Sequence, residues 1–187
     1  KSVYERLLSG MPEVTICVLA YNRLEKTRRC VESILKYTRG VTYELLLVDN
    51  GSEDGTLEYF QSIQYQNKKI LHITKNLGAL YATNLAMRSF SGRYFALVIN
   101  DAIVTKNWLS NLVTPGASNV SNLQEIPLSF SSYEEMQQKA AAYNQSDPRK
   151  WEQRVRLVAI IYLLKREVVD LIGLDDPGFF HDFEEDD

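Results

Sequence analysis

The sequence predicts an α/β domain built on a mostly parallel sheet with helices on both faces. Three observations predict it. Runs such as Val14 to Leu19 and Tyr94 to Ile99 are apolar throughout, as strands covered on both faces are. A stretch of helical period follows the strands in turn, and an alternating order of strand and helix implies parallel pairing. The hydrophobic pattern also breaks into a polar cluster directly after a strand, where open α/β sheets bind their ligands.

The elements follow in order. Val14-Thr15-Ile16-Cys17-Val18-Leu19 reads as a buried strand that ends in Ala20-Tyr21-Asn22. From Leu24 the period changes: Leu24, Thr27, Val31, Ile34 and Leu35 share one helical face, with Arg23, Lys26, Arg29 and Glu32 outside it. Tyr43 to Val48 is a second strand, Asp49-Asn50-Gly51-Ser52 a turn, and Asp54 to Ile63 a helix. Lys69 to Ile73 forms a third strand. After Asn76-Leu77-Gly78 a helix carries Ala79, Ala82, Ala86 and Phe90 along one side, Gly92 stops it, and Tyr94 to Ile99 is the fourth strand.

Beyond Asn111 the order changes to a polar loop, a helix at Ser132 to Tyr143, a strand at Arg156 to Leu163, a helix at Lys165 to Ile172 and an acidic end. Residues 1–113 are expected to form a ligand-binding half, and 114–187 part of a second half of the same domain. Leu112-Val113 runs into Thr114-Pro115-Gly116 without completing a further helix and strand. A missing segment near 111–115 and a truncated C-terminus are therefore expected.

Composition bounds the function. The 187 residues suit one domain with a sizeable core. A net charge of −3, from 24 acidic and 21 basic residues, gives no footprint for nucleic acid or an anionic membrane. Cys17 and Cys30 have no metal or redox spacing and read as reduced, buried thiols. No run approaches the ~20 apolar residues of a membrane span, and the N-terminus shows no signal pattern. A cytoplasmic chain is expected, at most peripheral to the inner face of a membrane.

The polar clusters after the strands converge on one rim: Tyr21-Asn22, Asp49-Asn50-Gly51-Ser52, Asn76-Leu77-Gly78 and Asn100-Asp101. Asp49 ends an apolar strand, so its carboxylate needs a hydrogen-bond donor, which the imide N–H of a pyrimidine ring could supply. The residues 49–51 also suit a plain turn. Asp101 could hold a divalent cation bridging a diphosphate, since Mg²⁺ and Mn²⁺ take oxygen ligands, or it could cap a helix. The run Asp182, Glu184, Glu185, Asp186, Asp187 suits a solvated tail or, following Phe179-Phe180, a functional carboxylate. His72 reads as structural, and His181 borders the acidic run. A dinucleotide enzyme or P-loop protein is disfavoured because no G-x-G-x-x-G or Walker sequence occurs.

Together, Val14 to Arg23, Leu47 to Thr56, Asn76-Leu77-Gly78, Asn84, Gly92-Arg93-Tyr94 and Val98 to Asp101 resemble glycosyltransferase family 2 with the GT-A fold. The resemblance runs from Val14 to Leu112 and again from Val155 to Asp187. It implies a Rossmann-like, mostly parallel sheet with part of an acceptor-side subdomain. It implies nucleotide contacts from Ala20, Tyr21, Asn22 and Asp49, with Gly51, Ser52, Asn76, Gly78, Asn84 and Asn100 completing the donor site. Ile99-Asn100-Asp101 keeps the last two positions of the family's Asn-Asn-Asp metal motif, which leaves Asp101 as the metal candidate. The aromatic-then-acidic end places Glu185 at the general-base position, with Glu184 and Asp187 as neighbours in register.

The implied reaction moves a sugar from a nucleotide-diphosphate-sugar to an acceptor hydroxyl with inversion, assisted by Mn²⁺ or Mg²⁺. Glycan, lipid-linked and protein acceptors are all compatible. The alternative is a non-catalytic module of the same fold that binds nucleotide sugars.

Overall fold

The computed structural model describes residues 10–113, 119–121, 129–143 and 160–174. β1 (Val14–Ala20), β2 (Tyr43–Asn50), β3 (Lys68–Ile73) and β4 (Tyr94–Ile99) are parallel neighbours in the order β3-β2-β1-β4. β6 (Ile161–Lys165) pairs antiparallel with β4, and β5 (Asn119–Ser121) pairs antiparallel with β6, which completes a six-stranded sheet. The helices are α1 (Leu24–Tyr37), α2 (Thr56–Ser62), α3 (Ala79–Ser89), α4 (Trp108–Val113), α5 (Tyr133–Tyr143) and α6 (Arg166–Ile172).

β1, β2 and β4 bury both faces, which explains their mostly apolar sequence. On one face Val14, Ile16, Val18, Leu45, Leu47, Ala96 and Val98 pack with Cys30, Val31 and Ile34 of α1, Phe60 of α2, and Trp108 and Leu109 of α4. On the other, Cys17, Leu46, Val48, Phe95 and Leu97 meet Ala82, Ala86 and Met87 of α3 and Val169 of α6. Both cysteines are free and buried, as expected. Burial pushes the Cys17 thiol far up; burial, with a smaller push from the Asp101 charge, takes Cys30 up to about 12.

The segment after β4 is tied to α1. Val104 N–H donates to Ser33 Oγ at 3.0 Å, and the buried Trp108 Nε1 donates to Thr38 Oγ1 at 3.0 Å. These bonds fix where the chain leaves β4 and therefore where Asp101 stands. The opposite end of the sheet is closed by Glu44, whose carboxylate accepts from Thr15 Oγ1 (3.1 Å) and Ser91 Oγ (2.6 Å) and pairs with Lys69 Nζ (2.6 Å). Gly92 lies against that network: a Cβ there would sit 2.5 Å from Thr15 N, so the residue serves close approach. The helix stop expected at Gly92 comes earlier, at Phe90.

Several expected boundaries move. Asp49 and Asn50 belong to β2, because β3 pairs with them through His72 and Ile73, and the turn starts only at Gly51. α2 begins at Thr56 rather than Asp54, since the Asp54 carboxylate accepts from Thr56 N–H (3.2 Å) and Leu24 N–H (2.7 Å) and so caps two helices from outside. Ala79 opens α3 on the exposed side; Leu80, Ala82, Thr83, Asn84, Ala86 and Met87 make the buried face. The strand expected at 156–163 is Ile161–Lys165, displaced by its pairing to Tyr94–Val98; residues 156–159 lie outside the described residues. α4 runs unbroken to Val113, and the rest of the expected missing segment, 114–115, lies outside them too.

Candidate functional site

The strand order puts a crevice between the carboxyl ends of β1 and β4. From β1 the chain goes through α1, on one face, to β2; it reaches β4 through α3, on the other face. Loops therefore diverge from adjacent strand ends, which is where ligands bind in open α/β sheets. Ala20-Tyr21-Asn22-Arg23 forms one wall and Asn100-Asp101 the other.

The first wall is held in an unusual backbone conformation. Asn22 (φ 55°) and Arg23 (φ 61°) are both left-handed, a region that few non-glycine residues occupy. Asn22 is fixed on three sides: its N–H donates to Ser52 Oγ (2.8 Å), its Oδ1 accepts from Glu53 N–H (2.9 Å), and its carbonyl accepts from Asn100 Nδ2 (3.1 Å). Asn100 also donates to Thr27 Oγ1 at 2.8 Å. Tyr21 stands beside this lattice with 47% of its surface exposed.

Asp49 is wholly buried, and the donor it requires comes from the protein. Ser52 N–H donates to Oδ1 at 3.0 Å, and His72 Nδ1 lies 2.8 Å from Oδ2. An ionised carboxylate only accepts, so Nδ1 carries the proton toward it, and in the neutral ring Nε2 is left as an acceptor. Asp49 therefore already has protein partners on both oxygens, beside any nucleotide contact that the resemblance implies for it. His72, read from the sequence as structural, has 41% of its side chain exposed, and its pairing with Asp49 is what the sequence reading did not find. The signal was its place near the end of β3, level with Asp49 in parallel register.

Asn50 is likewise engaged: its Nδ2 donates to Asn76 Oδ1 (2.9 Å) and Gly78 O (3.1 Å), and its Oδ1 accepts from Leu77 N–H (3.1 Å). Gly51 has φ 80°, and a Cβ on it would lie 2.5 Å from Asn76 N, so only glycine fits between the two loops. Asn84 lies on the buried face of α3. Ala20, Tyr21, Asn22, Asp49, Gly51, Ser52, Asn76, Gly78 and Asn100 are brought to one end of the sheet.

Asp101 faces cations. Its Oδ2 lies 3.3 Å from Arg23 Nη1 and 3.5 Å from Lys26 Nζ. Among the described residues no three His, Cys, Asp or Glu side chains cluster as metal ligands. A hard divalent ion can be held by one carboxylate when ligand phosphates and water supply the remaining oxygens. Exposed ion pairs are worth about 0–1 kcal/mol, so Arg23 and Lys26 do not bar that use of Asp101. Asp101 thus fits the protein's share of a site that a diphosphate would complete. Glu184, Glu185 and Asp187 lie outside the described residues, as do Asp182 and His181.

This sheet order, with its crevice between β1 and β4, defines a GT-A fold. The likeness extends to solved structures: a mannosyltransferase from Pyrobaculum calidifontis in complex with GDP-Man and Mn²⁺ (TM-score 0.65, 20% identity, 89% of this chain and 48% of that one), and GalNAc-T7 with UDP, GalNAc and Mn²⁺ (TM-score 0.69, 15% identity, 94% and 39%). The family model described as Glycosyl transferase family 2 matches residues 15–164, and the chain belongs to that family. Among curated relatives, glycosyltransferase AglE of Haloferax volcanii is 31% identical over 118 residues, 62% of this chain and 38% of the relative. Glycosyltransferase GlyG of Streptococcus pneumoniae is 33% identical over 101 residues, 53% of this chain and 33% of the relative. The matched stretch thus spans about a third of their length. Among the described residues, no helix is long and apolar enough to cross a membrane.

Proposed function

We propose that this chain is the donor-binding and catalytic portion of an inverting glycosyltransferase that uses a nucleotide-diphosphate-sugar and a divalent metal. The observation that carries this reading is the crevice between β1 and β4, lined by Tyr21, Asn22, Asn100 and Asp101, in a chain of glycosyl transferase family 2. Solved structures of the same fold bind GDP-Man with Mn²⁺, or UDP with Mn²⁺, which supports a nucleoside-diphosphate donor here.

In this reading residues 1–113 hold the donor and 114–187 contribute the acceptor side. Tyr21 stacks on the base. Asn22, Ser52, Asn76, Gly78 and Asn100 keep the loops in place through their bonds to one another, while Asp49 anchors Ser52 and orients His72. A carboxylate of the acidic end, Glu185 by register with Glu184 and Asp187 beside it, takes the proton from an acceptor hydroxyl. The hydroxyl oxygen bonds to the anomeric carbon from the face opposite the leaving group, and the bond to the diphosphate oxygen breaks. Asp101 is the residue to hold a divalent ion, which when bound offsets charge on the departing diphosphate. The acceptor is a glycan, lipid-linked or protein hydroxyl.

A thermal-shift series with UDP, dTDP and GDP, each with and without Mn²⁺, tests donor binding, because a ligand selective for the folded state raises Tm. A rise with one nucleotide that grows with Mn²⁺ is expected; no rise with any of the three removes the reading. Product formation from the matching nucleotide sugar then separates an enzyme from a binding module.

A further inference from the structure

Asp101 is approached by two cations from the opposite wall of the crevice, and both ion pairs converge on the same oxygen, Oδ2. The Arg23 and Lys26 side chains are 63% and 57% exposed, against 30% for Asp101. Two positive charges on one carboxylate leave a net positive charge between the ends of β1 and β4. Crevices of one sign concentrate counter-ions, here anions.

Arg23 does not reach this position by chance of rotamer alone. Its backbone is left-handed (φ 61°, ψ 45°) and follows the left-handed Asn22, an arrangement that costs about 1–3 kcal/mol per residue and persists only where surrounding bonds impose it. Ser52, Glu53 and Asn100 impose it here. Three of the first four N–H groups of α1 are already used: Leu24 N–H on Asp54, and those of Lys26 and Thr27 on the Arg23 carbonyl. The exposed positive charge at this wall includes the Arg23 and Lys26 side chains. A guanidinium forks onto phosphate oxygens with two parallel bonds, and an ammonium adds a point charge beside it.

We propose that Arg23 and Lys26 are the phosphate-binding side chains of the donor site, and that they engage a nucleoside diphosphate by exchanging it for Asp101. The proposal rests on the nucleotide-sugar reading above and goes further by assigning the diphosphate to two residues to which the resemblance gave no role. Before donor arrives, the cations neutralise Asp101. When the diphosphate takes them, the carboxylate is freed, so the affinity of Asp101 for a divalent cation and that of the cations for diphosphate rise together.

Calorimetric titration of the full chain tests this. Wild type, Arg23→Gln/Lys26→Gln and the charge-keeping Arg23→Lys/Lys26→Arg are each titrated with UDP and GDP, with uridine and guanosine, and with MnCl₂ alone. The glutamine pair is expected to lose about tenfold or more in diphosphate affinity, to keep nucleoside affinity, and to bind Mn²⁺ alone more tightly than wild type. The charge-keeping pair is expected to retain most diphosphate affinity. Equal diphosphate affinity in wild type and the glutamine pair overturns the proposal, as does a parallel loss of nucleoside affinity, which marks a structural role. Mn²⁺ binding no tighter in the glutamine pair overturns the exchange. Wild type that binds neither nucleotide removes the donor reading and this proposal with it, whereas nucleotide binding indifferent to Arg23 and Lys26 removes only the proposal.

Discussion

Asp49 and His72 stand side by side on neighbouring parallel strands, with His72 Nδ1 2.8 Å from the Oδ2 of a carboxylate that has no contact with solvent. The imidazole covers the outward side of Asp49, and Ser52 N–H covers the other oxygen. An apolar strand thereby ends in a charged group without leaving it unsatisfied.

Deleting the two residues should have unequal costs. His72→Ala leaves Asp49 one donor and lets water reach the other oxygen, which should cost about 1 kcal/mol; Asp49→Ala strands Ser52 N–H and His72 and opens a small void, and should cost about 2–3 kcal/mol. Urea unfolding of both variants measures the difference. A His72 variant less stable than the Asp49 variant would overturn this account.

Gly51→Ala should be the most damaging single-methyl addition on the rim. The new Cβ would occupy a left-handed backbone at φ 80° and approach Asn76 N and the Lys75 carbonyl carbon to 2.5 Å. Neither obstacle is a flexible side chain, so the 75–78 loop must move, at about 2 kcal/mol or more. Reduced Tm together with weaker nucleotide binding is the expected readout, because the displaced loop is the one Asn50 holds.

The acid limb of stability should depend on Glu44. Burial raises its pKa, but hydrogen bonds from Lys69, Ser91 and Thr15 outweigh burial and hold the carboxyl below the ordinary glutamate value. A group lowered on folding stabilises the protein above its unfolded value, about 4.3, and that contribution is lost as pH falls through the folded value. Urea midpoints across the acid range should therefore fall less steeply in Glu44→Gln than in wild type, and equal slopes would assign the acid sensitivity to other groups.

Donor binding and chemistry should separate at the two carboxylate positions. Asp101→Ala is expected to remove the Mn²⁺-dependent part of nucleotide affinity while leaving nucleoside affinity intact. Glu185→Gln is expected to keep donor affinity and lose about 10²–10⁴-fold in transfer. Titration and a transfer assay on the same preparations read both; full transfer by the Glu185 variant passes the base role to Glu184 or Asp187.

Much of the fold was legible before the structure. β1 and β4 fall within a residue of expectation, and α1 starts at the expected Leu24, because an apolar strand and a helical stripe are local patterns. The end of β2 was misplaced because Asp, Asn and Gly are ordinary turn formers, and only pairing with His72 and Ile73 keeps Asp49 and Asn50 in the strand. The displacement of β6 has the same origin, since register is set by the partner strand.

The sequence by itself determined the types and order of the elements from β1 to β4, the family, and the set of polar residues gathered at the strand ends, since each follows from patterns within a few residues; α4 and β5 were not among the expected elements. Tertiary structure decided what those residues do with one another. Asp49 meets His72 across 23 positions, Asn22 meets Ser52 across 30, and Arg23 meets Asp101 across 78. Side-chain hydrogen bonds and ion pairs act over about 3–4 Å, so they depend on which strands lie side by side and in what register. Local periodicity carries neither, and the charge balance of the crevice emerges only when β1 and β4 become neighbours.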